Sequence, residues 1–269
     1  MTTYRTILVD LSAGQRPADE RLGAARALAV RFGAALVGLH ATPPLEMTGW
    51  EGGWSAYVPP EYVEAERRAK QEAKDACRAA FDRICGSDPG AVWREVEGYP
   101  GWSLVRAAHA ADLVVAARDD RFEVVEQIVT ATGVPVLMVP PGGAPAEVGR
   151  EVAVVAWKPS REAARAVHDA LPFLRSAERV VLCAVGGEAG EGLDDAAAML
   201  ERHGVAVRPE RVAGSDAGAG EVLLGRAATH GAGLLVMGAY GHSRLRELVL
   251  GGATRQVLRG ATLPVLLSG

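Results

Sequence analysis

Short aliphatic and β-branched runs alternate with longer amphipathic segments along the whole chain, and the alternation is made twice. In the first half, "RTILVDL" (5–11), "AALVGLHA" (34–41), "AVWREVEG" (91–98), "DLVVAA" (112–117) and "VPVLMVP" (134–140) read as strands. The segments at 17–33, 60–86, 101–111 and 123–132 read as helices, with proline or acids at their starts and glycine at several ends. In the second half, strands are expected at 151–157, 179–185, 206–212, 234–239 and 263–268. Helices are expected at 160–175, 193–204, 219–232 and 254–261, the first with Ser160 as N-cap. Each half thus reads β-α-β-α-β-α-β-α-β. Strands separated by helices make a parallel sheet covered on both faces. The endings "GVPVLMVP" and "TLPVLLSG" look like copies of one another, the mark of tandem duplication.

A length of 269 residues suits two domains. The Pro/Gly-rich stretch opening "PPGGAPAEVG" marks the boundary, which gives domains over 1–141 and 151–269 with a linker at 142–150. Lys+Arg total 29 and Asp+Glu 33, a net charge of −4. That balance argues against a nucleic-acid partner, since such binding runs on neutralised phosphates. No apolar run is long enough to span a bilayer, and the opening residues read as a first strand and not as a secretion signal. Cys77, Cys85 and Cys183 are odd in number and show no paired spacing, which points to reduced thiols in the cytoplasm. Ligand spacing for a metal is absent.

The segment "VMGAYGHSRLRELVLGGATRQVLRGATLPVLL" (236–267) carries the strongest functional signal. Gly238 ends a strand, Gly241 follows after two residues, and Gly251 after nine more. In doubly wound sheets, ligands sit past the carboxyl ends of the strands. Gly251-Gly252 precede a helix whose first N–H groups lack internal partners and suit an anion. His242, Ser243, Arg244 and Arg246 are close enough in sequence to assist. Glycines also end strands and open helices in proteins that bind nothing, and the residues alone leave both readings open.

The spacing G-x-x-G, nine residues, G, with the flanking "SRLRELVLGGATRQVLRGATLPVLL", resembles the universal stress protein family in its tandem two-domain form. "VAWKPSREAARAVHDALPFL" and "ILVDLS" resemble it as well. The resemblance implies two doubly wound α/β domains of the adenine-nucleotide α-hydrolase type. Each has five parallel strands in the order 3-2-1-4-5. It also implies ATP or a related adenine nucleotide as ligand, with magnesium. The phosphates would meet Gly238, Gly241, His242, Gly251, Gly252 and Thr254. The adenine and ribose would lie near Ala156, Trp157, Lys158 and Ala184. Asp10 and Ala41 are the counterparts in the first half. Three departures stand out. Gly252 replaces the hydroxyl residue that follows the third glycine in the family's nucleotide-binding members. Lys158 stands where Asp10 keeps the family's acid. The first half has Ala117 in place of Gly238, then Asp119 and Asp120, and a connection shorter by eight residues. Its site is expected to be lost.

Trp50, Trp54 and Tyr57 crowd one loop and read as packing or as a partner contact. His40 and His109 lie in apolar segments and read as satisfied core or interface residues. Trp157 either walls a pocket or packs. Ser160, His168 and Asp169 are spread over different helix turns and form no triad. The apolar final strands would be exposed edges if left alone. The resemblance implies that 134–139 and 263–268 pair within the chain as a pseudo-dimer, and a homodimer is a further expectation. Taken together, the expectation is a stress-response protein with no visible general base, and so no dedicated enzyme. The rivals are a nucleotide-independent interaction module and an adenylating enzyme.

Overall fold

The computed structural model describes residues 3–12, 18–44, 59–86, 88–117, 122–140, 142, 147–186, 190–239 and 252–269. The first half contains strands β1 (Thr6–Asp10), β2 (Ala35–Thr42), β3 (Ala91–Glu97), β4 (Leu113–Ala117) and β5 (Val136–Val139). Its helices are α1 (Ala18–Phe32), α2 (Pro60–Cys85), α3 (Pro100–Ala108) and α4 (Phe122–Ala131). The second half contains β6 (Val152–Trp157), β7 (Arg179–Val185), β8 (Val207–Val212), β9 (Leu234–Gly238) and β10 (Val265–Ser268). Its helices are α5 (Arg161–Asp169), α6 (Leu171–Leu174), α7 (Leu193–Arg202), α8 (Ala219–His230) and α9 (Gly252–Gly260).

All ten strands form one sheet in the order β3-β2-β1-β4-β5-β10-β9-β6-β7-β8. Read from its own first strand, each half has the expected order 3-2-1-4-5. Pairing inside each half is parallel. The halves meet at β5 and β10, which pair antiparallel with Val265 opposite Met138, Leu266 opposite Leu137 and Leu267 opposite Val136. Two apolar strands that would each have been a bare edge thus cover one another, as the sequence led us to expect.

The seam makes the cores continuous. On one face α1 and α2 share a cluster with α5, α6 and α7; on the other α3 and α4 share one with α8 and α9. Next to the seam Tyr4, Phe32 and Phe173 form an aromatic triangle with ring centroids 5.2–5.6 Å apart. Tyr4 Oη donates to the Asp169 carbonyl. The Arg31 guanidinium lies over the rings of Phe32 and Phe173. It also donates to the Val148 carbonyl at 2.6 Å and to Ser176 Oγ. Val148 is fully buried, so the far end of the Pro/Gly-rich connection is packed into the core and is not a free tether.

Two expectations need correction. The helix expected over 160–175 is two helices divided at Ala170. Pro172 lacks the N–H that a continuous helix needs, and it sits in the first turn of α6, where that loss costs nothing. The last helix starts at Gly252, two residues earlier than expected, so Gly252 belongs to its first turn.

Candidate functional site at the carboxyl ends of the strands

Strand order reverses between β1 and β4 in the first half and between β6 and β9 in the second, and crevices form past such points. In the first half the groups at the end of β1 are bonded to one another. Arg21, on the apolar face of α1, is only 5% exposed. It donates to the Asp10 carbonyl and, at 3.3 Å, to the Ser12 carbonyl. Asp10 Oδ1 accepts from the Ser12 amide at 2.9 Å. Ser12 Oγ accepts from the Ala41 amide at 3.1 Å. Both sequence-named positions, Asp10 and Ala41, are therefore engaged internally. His40 is buried; its Nδ1 lies 2.9 Å from the Leu11 carbonyl, so that nitrogen carries the proton. Its ring stacks on Trp93, with centroids 5.7 Å apart. His40 is a satisfied core residue, as expected. His109 is not: it is exposed, with Nε2 3.5 Å from the Ala131 carbonyl. A position just past the end of α3 turns it outward. Asp119, Asp120, Trp50, Trp54 and Tyr57 lie outside the described residues.

In the second half, β6 ends at Trp157, which is half-buried and donates through Nε1 to the Glu191 carbonyl at 3.1 Å. Trp157 sits opposite Ala184 in the ladder, and Val9 sits opposite Gly38. Ala184 is buried, whereas Ala156 and Lys158 are half-buried. Ser160 does cap α5: its Oγ accepts from the Ala163 amide at 3.2 Å. Its counterpart Ser12 instead bonds across to β2. Gly238 closes β9 against that same cap. A Cβ on Gly238 would lie 2.5 Å from the Glu162 carbonyl carbon and 2.6 Å from the Ala163 nitrogen. The close approach that needs glycine here is therefore to the backbone of α5. Thr254 is 3% exposed and turned into the protein. Gly241, His242, Ser243, Arg244, Arg246 and Gly251 lie outside the described residues.

Sequence reasoning passed over two polar groups. The first is Arg21, whose signal was an arginine in line with Ala25, Leu28 and Phe32 at helical spacing. The second joins β8 to α8. Glu210 accepts from Arg226 and from His230 Nε2, the latter at 2.8 Å. Nearby Cys183 is fully buried, and burial first, then the Glu210 charge, pushes its thiol up to about 11. A thiol held protonated is no nucleophile. Among the described residues no group of three or more His, Cys, Asp or Glu could hold a metal ion, and no helix is long and apolar enough to cross a membrane. A cleft of about 840 Å³ opens between α2 and the carboxyl ends of β2 and β3.

The strand order defines a doubly wound α/β architecture made twice in one sheet. Residues 150–268 match the model of the universal stress protein family. A universal stress protein of Synechocystis is 40% identical over 74 residues, 28% of this chain and 25% of that protein. The match thus spans about a quarter of that relative's length. A universal stress protein from Archaeoglobus fulgidus shares the fold with a TM-score of 0.70 at 15% identity, over 97% of this chain and 95% of that one. A functionally unknown protein from Pseudomonas aeruginosa does so with a TM-score of 0.58 at 14% identity, over 98% and 92%. The C-terminal half is therefore a universal stress protein domain, and the N-terminal half repeats its fold.

Proposed function

We propose that this is a regulatory protein of the universal stress type, divided as 1–141 and 151–269, whose C-terminal half binds ATP or a related adenine nucleotide. The N-terminal half is its scaffold. One contrast carries the reading. In the first half Arg21 is spent on the Asp10 and Ser12 carbonyls and Ser12 on the Ala41 amide. The second keeps the glycine spacing that starts at the end of β9 and finishes at the start of α9. The first N–H groups of α9 have no intrahelical acceptor and suit a phosphate. Half-buried Lys158 stands past the end of β6 on the same side of the sheet. Magnesium, if carried, rests on the nucleotide's own phosphates, because the described residues offer no carboxylate cluster for it. Cys77, Cys85 and Cys183 are all free thiols, consistent with work in the cytoplasm.

One observation favours a nucleotide-independent interaction module instead: packing of Gly238 on α5 explains that glycine without any ligand. Titration calorimetry with ATP, ADP and AMP on wild type and Gly241→Asp separates the two. The nucleotide reading expects saturable heat that the variant loses. Absence of heat with all three assigns the chain to the module.

A further inference from the structure

The cleft between α2 and the carboxyl ends of β2 and β3 is tied across by two lysines and lined by two arginines that the protein itself does not use. Lys70 Nζ lies 2.7 Å from Glu66 Oε1 and donates to the Pro43 and Pro44 carbonyls at 3.3 and 3.1 Å. It ties α2 to the chain leaving β2, and its donors are spent there. Lys74 Nζ reaches Glu95 Oε1 at 2.8 Å and ties α2 to β3. That hydrogen bond holds the Glu95 carboxyl below the usual range, so this acid stays charged and matched. Arg67 and Arg68 line the same cleft, are exposed, and have no ion pair or hydrogen bond among the described residues. Glu64 precedes them at the spacing where ion pairs form on a helix, yet among the described residues it pairs with neither. Glu97, at the end of β3, also lines the cleft without an ion pair among the described residues.

We propose that this cleft takes a small molecule carrying two oxyanion groups, which Arg67 and Arg68 hold. A guanidinium offers donors and no acceptor, in a planar fork that fits two oxygens of a carboxylate or a phosphate. Two guanidiniums on successive residues repel one another, and a doubly charged ligand offsets both charges where a single anion offsets one. The volume of about 840 Å³ lies within the range of small-molecule sites and exceeds what one bare phosphate fills. Pro43 and Val96 also line the cleft and offer apolar surface to the ligand's carbon skeleton. Glu64 and Glu97 set the upper limit on charge. They oppose further negative groups, which disfavours a long polyanion such as nucleic acid. The cleft lies past β2 and β3, whereas the proposed nucleotide site lies past β6 and β9, so the proposal stands apart from that reading.

Calorimetric titration of the full chain with succinate and, separately, with pyrophosphate in magnesium-free buffer tests this. Saturable heat is expected with at least one of the two. Succinate alone marks a dicarboxylate site, and pyrophosphate alone a phosphate site. Binding weakens as sodium chloride is added, because both arginines are exposed. Arg67→Gln/Arg68→Gln is expected to weaken it roughly tenfold or more. Glu97→Gln removes an opposing charge and tightens binding about two- to fivefold, a gain that a misfolded chain would not show. Gly241→Asp leaves it unchanged, which separates the cleft from the glycine segment. No saturable heat with either anion, binding that Gly241→Asp abolishes, or binding indifferent to loss of both arginines overturns the proposal.

Discussion

At Gly238 a hydrogen in place of a methyl group lets β9 end against the backbone of another helix. Gly238→Ala forces β9 and α5 apart, since neither neighbouring atom is the end of a movable side chain. The expected loss is about 1–3 kcal/mol in urea denaturation, equal with and without nucleotide. A loss seen only in the presence of ligand would place the constraint in the binding site instead. Cys183 gives a residue-level prediction in pH. Its folded-state thiol sits at about 11, above the ordinary 9.0. As pH rises from about 9 to about 11, the unfolded chain releases this proton and the folded chain keeps it. Stability therefore falls across that window. Cys183→Ala should flatten the fall in alkaline denaturation curves. Tyr4 acts in the same direction at higher pH, because burial first and then Asp169 raise its phenol.

Among the elements, the aromatic triangle binds the residues before β1 and the end of α1 to α6. Phe173 is fully buried there. Phe173→Ala is expected to cost about 3–5 kcal/mol, measured by chemical denaturation, because the cavity opens between halves that cannot both collapse into it. The sequence showed these elements through periodicity and punctuation: glycine after α1 and α8, proline opening α2 and α3, and matched apolar runs at β5 and β10. It misread 160–175 as one helix, because the apolar spacing of Leu171, Phe173 and Leu174 continues the pattern of α5 while Pro172 breaks its hydrogen bonding. The strand expected over 91–98 is there, yet Arg94 through Glu97 are all exposed. Alternation reports which face a residue takes, but coverage depends on neighbours that an edge strand lacks. At the candidate site the glycine spacing was legible. The buried Arg21 was not, since it joins α1 to residues some ten positions away through carbonyls that no sequence pattern marks.

For the whole molecule, both hydrophobic clusters run across β5 and β10, so neither half has a core of its own to melt separately. Scanning calorimetry should show a single transition for wild type, with calorimetric and van't Hoff enthalpies in agreement. Two resolved peaks would mean that the halves unfold independently. The antiparallel seam has one more consequence. Because the two sets of strands run in opposite senses, chain leaving β2 at Thr42 and chain leaving β9 at Gly238 emerge at opposite margins of the slab. Whatever engages the carboxyl ends of β1 to β4 therefore reaches the sheet from the side opposite to whatever engages those of β6 to β9.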